Sequence, residues 1–373
     1  MCLLYRGNLN AFSTYSVNYN LTKTIAKTLK NNNPTAIFIA GGPHASALPD
    51  SVYSDGFDYV ITGEADLTLF WLLEKLKSGM PVNPILKGVS SNSLDEIPFP
   101  DYSLVEFDTY SRVLDNNRCV SILSSRGCPY DCVFCNSNIM GTGKSIRYRS
   151  PENIVREIRY IKAKYGIRHF RFQDDLFTGD RKRVFDLTKE IQKELIKYRC
   201  FSRVNNFDST LAYSLSESGL IHVSFGVESG SNFILKQMQK KQNTQQIEKA
   251  LTSAYQYKIR TRIFLIVGFP GETESTMKET ITFLKKLPWD EFSVYPLIAY
   301  PGTKIHSDPQ KYGIIHIEKK YENYLQIGKN LSAGFTIRTN TFNEEQVHSW
   351  RDNVINEFLA DGRIWAGQSH GYQ

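Results

Sequence analysis

The sequence predicts an α/β protein: a partial (β/α)6 TIM-like barrel preceded by an incomplete Rossmann-like domain. Three observations predict it. Between residues 118 and 297, six apolar runs alternate with amphipathic helical stretches, the rhythm of parallel strands joined by covering helices. A front region repeats that rhythm with three runs. Half of the six cysteines crowd into one loop after the first of the six runs, and barrels carry their chemistry at the C-terminal ends of their strands.

The front region, residues 1–92, has the runs "LNAFST", "AIFIAGG" and "DYVITGE". Between them, "NLTKTIAKTLK" places Leu21, Ile25 and Leu29 on one face, and "LTLFWLLEKLKSG" closes at Gly79. The polar, proline-containing "SSNSLDEIPFPDY" opens a linker over 93–117. The barrel spans 118–305, with strands expected at 118–124, 168–173, 200–205, 221–227, 262–267 and 291–297. Ser150 is a good N-cap, Pro151 suits the first helical position and Gly166 suits the stop. Ile154, Ile158 and Ile161 share one core face; so do Val184, Leu187, Ile191 and Leu195, and Met277, Ile281 and Leu284. After 305 the rhythm stops, and 306–373 reads as a helical extension containing "NEEQVHSWRDNVINEFL" and a polar tail.

The totals narrow the function classes. At 373 residues the chain suits two domains, and 41% hydrophobic with 22% charged residues is ordinary globular composition. The net charge of +7 is dispersed, with no basic stripe interleaved with aromatics, which argues against a nucleic-acid partner. No apolar run is long enough for a membrane span. The opening "MCLLYRGNLN" is too short in apolar residues for a secretory signal, so a cytoplasmic location is expected. There, a tight cysteine cluster is metal-binding or catalytic rather than disulfide-forming.

The cluster reads "SSRGCPYDCVFCNSN", with Cys128, Cys132 and Cys135. A structural zinc site wants four ligands, commonly as two pairs. Here Cys2, Cys119 and Cys200 are scattered, which also argues against a second cluster, and no histidine lies near the loop. Three thiolates on a 4Fe-4S cluster leave one iron open for a substrate or cofactor. The nearby "GTGKS" ends like a phosphate loop, but Asn138 stands where that motif needs its first glycine and no strand directly precedes it.

The spacing Cys-x3-Cys-x2-Cys, with Phe134 before the last cysteine and a strand before the first, resembles the signature of the radical S-adenosylmethionine (radical SAM) superfamily. The resemblance covers roughly 118–305. It implies a 4Fe-4S cluster on the three cysteines and S-adenosylmethionine on the open iron. One electron from the reduced cluster would break the S–C5′ bond, giving methionine and a 5′-deoxyadenosyl radical that abstracts hydrogen. It also implies a small-molecule or peptide substrate and an electron donor such as flavodoxin or ferredoxin.

Carried onto the strand ends, the resemblance makes Asp174 and Asp175 receivers of the cofactor ammonium, a charge-assisted contact. Arg203 faces the cofactor carboxylate or a substrate acid, or bridges to Asp174 or Glu228. Glu228 and Ser229, after Gly226, bind ribose. Ile266 and Val267 flank adenine, with barrel core as the plain reading of Ile266, and Tyr295 lines the substrate cavity.

In front, "GGPHAS" and "DYVITGEAD" resemble the tail half of the cobalamin-binding domain that precedes many radical SAM barrels, with Ser13 and Gly41–Gly42 at the ligand. The family's Asp-x-His-x-x-Gly loop and the first strands are absent, and His44 reads as a loop histidine. The sheet therefore has about three strands and an open edge, a liability in any sheet. A late start, a vestigial domain or a covering chain would each account for it, and cobalamin stays open as a cofactor. Methyl transfer to carbon, ring closure or rearrangement fit a bound cobalamin; plain hydrogen abstraction fits its absence. The alternative from another class is an iron–sulfur scaffold without turnover, which would not need polar Asp174, Arg203 and Glu228 converging on the cluster.

Overall fold

The computed structural model describes residues 8–109, 112–140, 145–324 and 335–366. Cys2 and residues 141–144 of "GTGKS" lie outside the described residues.

The front region runs β1 (Leu9–Ser13), α1 (Tyr19–Asn32), β2 (Ile37–Gly41), α2 (Pro43–Ala47), α3 (Pro49–Ser54), β3 (Tyr59–Thr62), α4 (Asp66–Lys77) and β4 (Ile85–Lys87). Its four strands are parallel, in the order β1-β2-β3-β4. Period-two alternation sends Phe38 and Val60 to one apolar layer and Ile39 and Ile61 to the other. Both faces are thus covered, as parallel sheets require. The fourth strand was not expected: three residues, none fully buried, carry no periodic signal. Leu21 departs from its expected face and is 64% exposed, because α1 buries Tyr19, Thr22 and Ala26 instead.

The expected linker ends in structure. β5 (Val113–Leu114) turns into β6 (Asn117–Ile122) through Asp115 and Asn116, whose φ values of 52° and 59° suit a two-residue hairpin. A short ribbon follows, β7 (Ser125–Arg126) against β8 (Arg147–Tyr148), and closes the base of the cysteine loop.

From there the units are α5 (Pro151–Tyr165), β9 (His169–Phe172), α6 (Arg181–Gln192), β10 (Lys197–Ser202), α7 (Ser209–Glu217), β11 (Leu220–Glu228), α8 (Asn232–Gln237), α9 (Thr244–Gln256), β12 (Arg260–Val267), α10 (Glu274–Lys285) and β13 (Glu291–Pro296). Then come α11 (Lys304–Ser307), β14 (Ile314–Ile317), β15 (Ile337–Thr339), α12 (Glu344–Ala360) and β16 (Ile364–Trp365). One eight-stranded sheet has the order β16-β13-β12-β11-β10-β9-β6-β5. Its six central strands are parallel and in chain order, forming a partial barrel.

Capping follows the sequence. Ser150 accepts from the Asn153 amide, Pro151 opens α5 and Gly166 ends it at φ 67°. Asp180 caps α6. β10 starts three residues before the expected run, and Leu195 is not on the α6 face: the helix has ended, and Leu195 is 78% exposed at φ 51°. The rhythm does not stop at 305 either. α12 sets Val347, Val354 and Phe358 into the barrel core beside Trp289 and Phe292, and β16 pairs in parallel with β13. Among the described residues, no helix is long and apolar enough to cross a membrane.

Candidate active site

The cysteine loop leaves the C-terminal end of β6 and is strapped down at its centre. The Val133 amide donates to the Met238 carbonyl at 3.2 Å, and the Val133 carbonyl accepts from Ile305 at 3.1 Å. Val133 is fully buried in an apolar patch with Ile234, Phe269 and Leu297, against which Phe134 and Ile266 pack. Cys128 and Cys132 are buried and Cys135 is half-buried beside Ser137. Burial pushes the Cys128 and Cys135 thiols up, so their thiolates need positive charge close by. A bound iron–sulfur cluster would provide it, and Arg203 adds a donor to the Cys132 sulfur at 3.4 Å. Among the described residues no group of three or more His, Cys, Asp or Glu is placed to hold a single metal ion. Three thiols spread over one loop fit a cluster in which each iron takes one thiolate.

The strand ends bring Arg203 and Glu228 to this loop. Arg203 lies over the Tyr130 ring at 3.7 Å and also donates to the Lys240 carbonyl. Neither expected bridge, to Asp174 or to Glu228, is made. Glu228 instead takes Lys240 as its partner, 2.6 Å away, and both are buried. Its φ of 66° is left-handed, a strained conformation for a residue with a side chain. The Lys240 ammonium also lies 5.8 Å from the Phe134 ring centroid.

Other expected residues are placed differently. Asp174 is 1% exposed, and its carboxylate is taken up by the Ser124 amide at 2.7 Å, the Ser124 hydroxyl and the Ser125 hydroxyl at 2.7 Å. It anchors the root of the cysteine loop rather than offering itself to a ligand. Asp175 opens onto a cleft; burial, and then Asp174, push its carboxyl up against a Gly127 backbone donor. Ser229 turns away from the lumen: its hydroxyl meets Thr280 at 3.2 Å and the Ser231 amide at 3.1 Å. Ile266 and Val267 point to opposite faces. Ile266 joins the patch beside Phe134, whereas Val267 is sealed in the core under the helices.

Across the cysteine loop lies the front sheet. A cleft of about 690 Å³ is walled on one side by Ser13, Gly41 and Gly42 and on the other by Gly127, Asn136 and Asp175. Ser13 pairs in register with Gly41. Gly42 has φ 96°, and a Cβ there would sit 2.9 Å from the Thr14 amide nitrogen and carbonyl oxygen. The three residues expected at a cobalamin are therefore together, at strand ends facing the cysteine loop. His44 is not a loop residue: it is 1% exposed in α2, bonded to Ser16 at 2.9 Å and stacked on Tyr19.

Sequence reading missed Lys240, Tyr130, Glu272 and Arg126. Glu272 closes the turn after β12 by accepting from Gly268 at 2.6 Å and Phe269 at 3.1 Å. Arg126 ties the loop to the front sheet through Glu64 at 2.8 Å and Asp66 at 2.6 Å, and Arg147 from the paired strand also meets Glu64. Tyr130 and Arg126 sit inside the quoted cysteine motif, so their position was a signal; Lys240 had none.

Comparison with known proteins agrees with this geometry. The family model described as the radical SAM superfamily matches residues 122–284, and the B12 binding domain matches residues 9–70. An uncharacterized methyltransferase, PH0819 of Pyrococcus horikoshii, is 34% identical over 76% of this chain and 65% of its own length. The anaerobic magnesium-protoporphyrin IX monomethyl ester cyclase of Rubrivivax gelatinosus is 25% identical over 77% of this chain and 57% of its own. The chain thus spans about two thirds or less of these relatives. Among solved structures, the radical S-adenosylmethionine methyltransferase TsrM of Kitasatospora setae, with cobalamin and a 4Fe-4S cluster bound, superposes with a TM-score of 0.72 at 15% identity over 99% of this chain and 82% of TsrM. The cobalamin-dependent enzyme OxsB superposes at 0.71 and 17% identity over 93% of this chain and 57% of OxsB. A cysteine loop at the mouth of a partial barrel, a B12-type sheet facing it and these matches lead to one conclusion: the chain belongs to the radical SAM superfamily and carries a B12-binding domain ahead of its barrel.

Proposed function

We propose that this protein is a cytoplasmic radical SAM enzyme that uses cobalamin to methylate or cyclise a small molecule. One observation carries the reading: the cysteine loop and the Ser13–Gly41–Gly42 corner face each other across a single cleft. When bound, the cluster supplies an electron to S-adenosylmethionine at its open iron, and cobalamin supplies a carrier for a methyl group. The methyltransferase and cyclase names of the relatives support that range of outcomes. The electron enters from a small carrier such as flavodoxin or ferredoxin.

The chain's own residues divide the work. Cys128, Cys132 and Cys135 hold the cluster, and Arg203 holds the Cys132 sulfur in place. Asp175, open to the cleft, takes the cofactor ammonium. Glu228 serves the ribose, with Lys240 holding it in place. Ile266 and Phe134 supply the apolar surface for adenine. Ser13, Gly41 and Gly42 let cobalamin approach the backbone closely. The backbone bonds of Val133 to Met238 and Ile305 hold the cysteine loop in position.

The test is anaerobic reconstitution with iron and sulfide, then dithionite and S-adenosylmethionine, with and without cobalamin. 5′-Deoxyadenosine or demethylated cofactor should appear in the wild type and vanish in Cys132→Ser. Cluster formation without any cleavage would favour an iron–sulfur scaffold instead.

A further inference from the structure

The lumen below the cofactor level holds charge that the proposed reaction does not use. Strand residues facing away from the helix-packed core form a layer across the sheet: Arg171 on β9, Arg199 on β10, His222 and Ser224 on β11, Arg262 on β12 and Glu291 on β13. Register places them side by side: Arg171 opposite Arg199, Arg199 opposite His222, Ser224 opposite Arg262 and Arg262 opposite Glu291. Their chain neighbours Phe170, Tyr198, Val223, Ile263 and Phe292 lie in the outer core, which confirms the alternation.

With Arg260 beside His222, the layer thus holds four arginines and one carboxylate. Glu291 is already shared by Arg262 at 2.6 Å, Arg260 at 3.7 Å and His222 at 3.5 Å. Arg199 is 7% exposed; its Nη2 donates to the neutral Ser224 hydroxyl at 2.8 Å and its buried Nε has no partner. His222 Nδ1 on β11 and Ser293 Oγ on β13, both buried, also lack partners. Burial and the charges of Arg171 and Arg262 bring the Arg199 guanidinium down to about 9. The Glu291 carboxylate offsets part of this, and a buried cation whose charge is only partly compensated is costly. Buried polar atoms without partners call for an explanation, and a place kept for a bound group is one.

Resting on the radical SAM reading of the lumen as substrate space, we infer that the substrate is an anion whose carboxylate or phosphate group is held by Arg199 and Arg262, with Ser293 and His222 completing the pocket. The guanidinium fork suits both groups. Phe201, level with Ser224, and Phe264, level with Ser293, stack at 6.2 Å and give the substrate body an apolar wall. Arg199 lies four residues below Arg203 on the same strand path, roughly 13 Å at strand rise. That separation sets the reach from the anionic group to the carbon that reacts at the cofactor level.

The experiment is isothermal titration of the anaerobically purified full chain with pyrophosphate and, separately, with malonate. The two probes distinguish a phosphate from a carboxylate preference. One should bind at one equivalent with a Kd below about 1 mM. Arg262→Gln and Arg199→Gln should each weaken it by at least about tenfold, and Arg199→Lys should recover part of the loss. Arg262 is partly exposed, so its variant carries the test if Arg199→Gln does not fold. Failure of both probes to saturate, or equal binding by the folded variants, overturns the inference. Reductive cleavage of S-adenosylmethionine by the same wild-type preparation is read separately. Binding without cleavage removes the radical reading and leaves the anion site; cleavage without binding does the reverse.

Discussion

Arg203 donates to the Cys132 sulfur at 3.4 Å while its guanidinium plane rests on Tyr130. A cation and a hydrogen bond at a ligating sulfur make a bound cluster easier to reduce. Arg203→Gln is therefore expected to move the cluster to a more negative potential and slow S-adenosylmethionine cleavage roughly tenfold, the worth of one charge-assisted hydrogen bond. Potentiometric titration followed by electron paramagnetic resonance checks the shift; an unchanged potential refutes the role.

Asp174 sits beneath the cysteine loop as a triple acceptor. Asp174→Ala strands the buried Ser124 amide and should cost about 1–3 kcal/mol. The expected result is a lower melting temperature and poorer cluster incorporation. In whatever cluster-loaded protein remains, S-adenosylmethionine affinity should be near wild type, and a large loss of affinity there would return Asp174 to the cofactor.

Glu228 and Lys240 form a buried pair at 2.6 Å. Removing one partner leaves the other charge uncompensated, so Lys240→Met alone should cost about 3–5 kcal/mol. Glu228→Gln combined with Lys240→Met should recover most of that stability without recovering cofactor binding. Chemical denaturation of the four forms of the cycle measures the coupling; additive losses would mean the pair is not one unit.

Glu272 gives a pH signature. Burial pushes its carboxyl up from 4.5 to about 8, against the pull of the Phe269 and Gly268 amides. The folded state holds its proton more tightly than the unfolded state. The contribution is therefore complete below pH 4.5, declines as pH rises and is lost above about 8. Glu272→Gln does not titrate, so its stability relative to wild type should rise across that window, by at most about 1.4 kcal/mol per pH unit. Melting curves at several pH values test this, and a flat difference would contradict it.

Gly42 combines a left-handed φ with close contact to Thr14. Gly42→Ala should destabilise the front sheet by about 1–3 kcal/mol and reduce the cobalamin retained through purification, read from the visible spectrum. Full retention with an unchanged melting temperature would show that the corner tolerates a side chain.

Much was legible because it is local. The strand–helix rhythm, the Ser150–Pro151–Gly166 frame of α5 and the three cysteines each depend on residues a few positions apart. The pairing of Ser13 with Gly41, 28 positions on, is not local; it came from the resemblance to the cobalamin-binding domain, and strand register brings the two together. Where local pattern was weak, reading failed. β4 is too short to show a period, and the outward turn of Leu195 depends on where α6 ends.

By itself, then, the sequence determined the family, the spacing of the three cysteines and the succession of strands and helices, since spacing and periodicity act over one or two turns of chain. Only the tertiary structure decided the partners. Asp174 belongs to Ser124 and Ser125, Glu228 to Lys240, and Arg126 to Glu64 across 62 positions of sequence. Ile266 faces the lumen while Val267 faces the core. The arginines of the lumen stand scattered over 171–262 in the chain and become one layer through strand register. Register and loop path are long-range properties: they come from packing one element on another, and no single segment carries them.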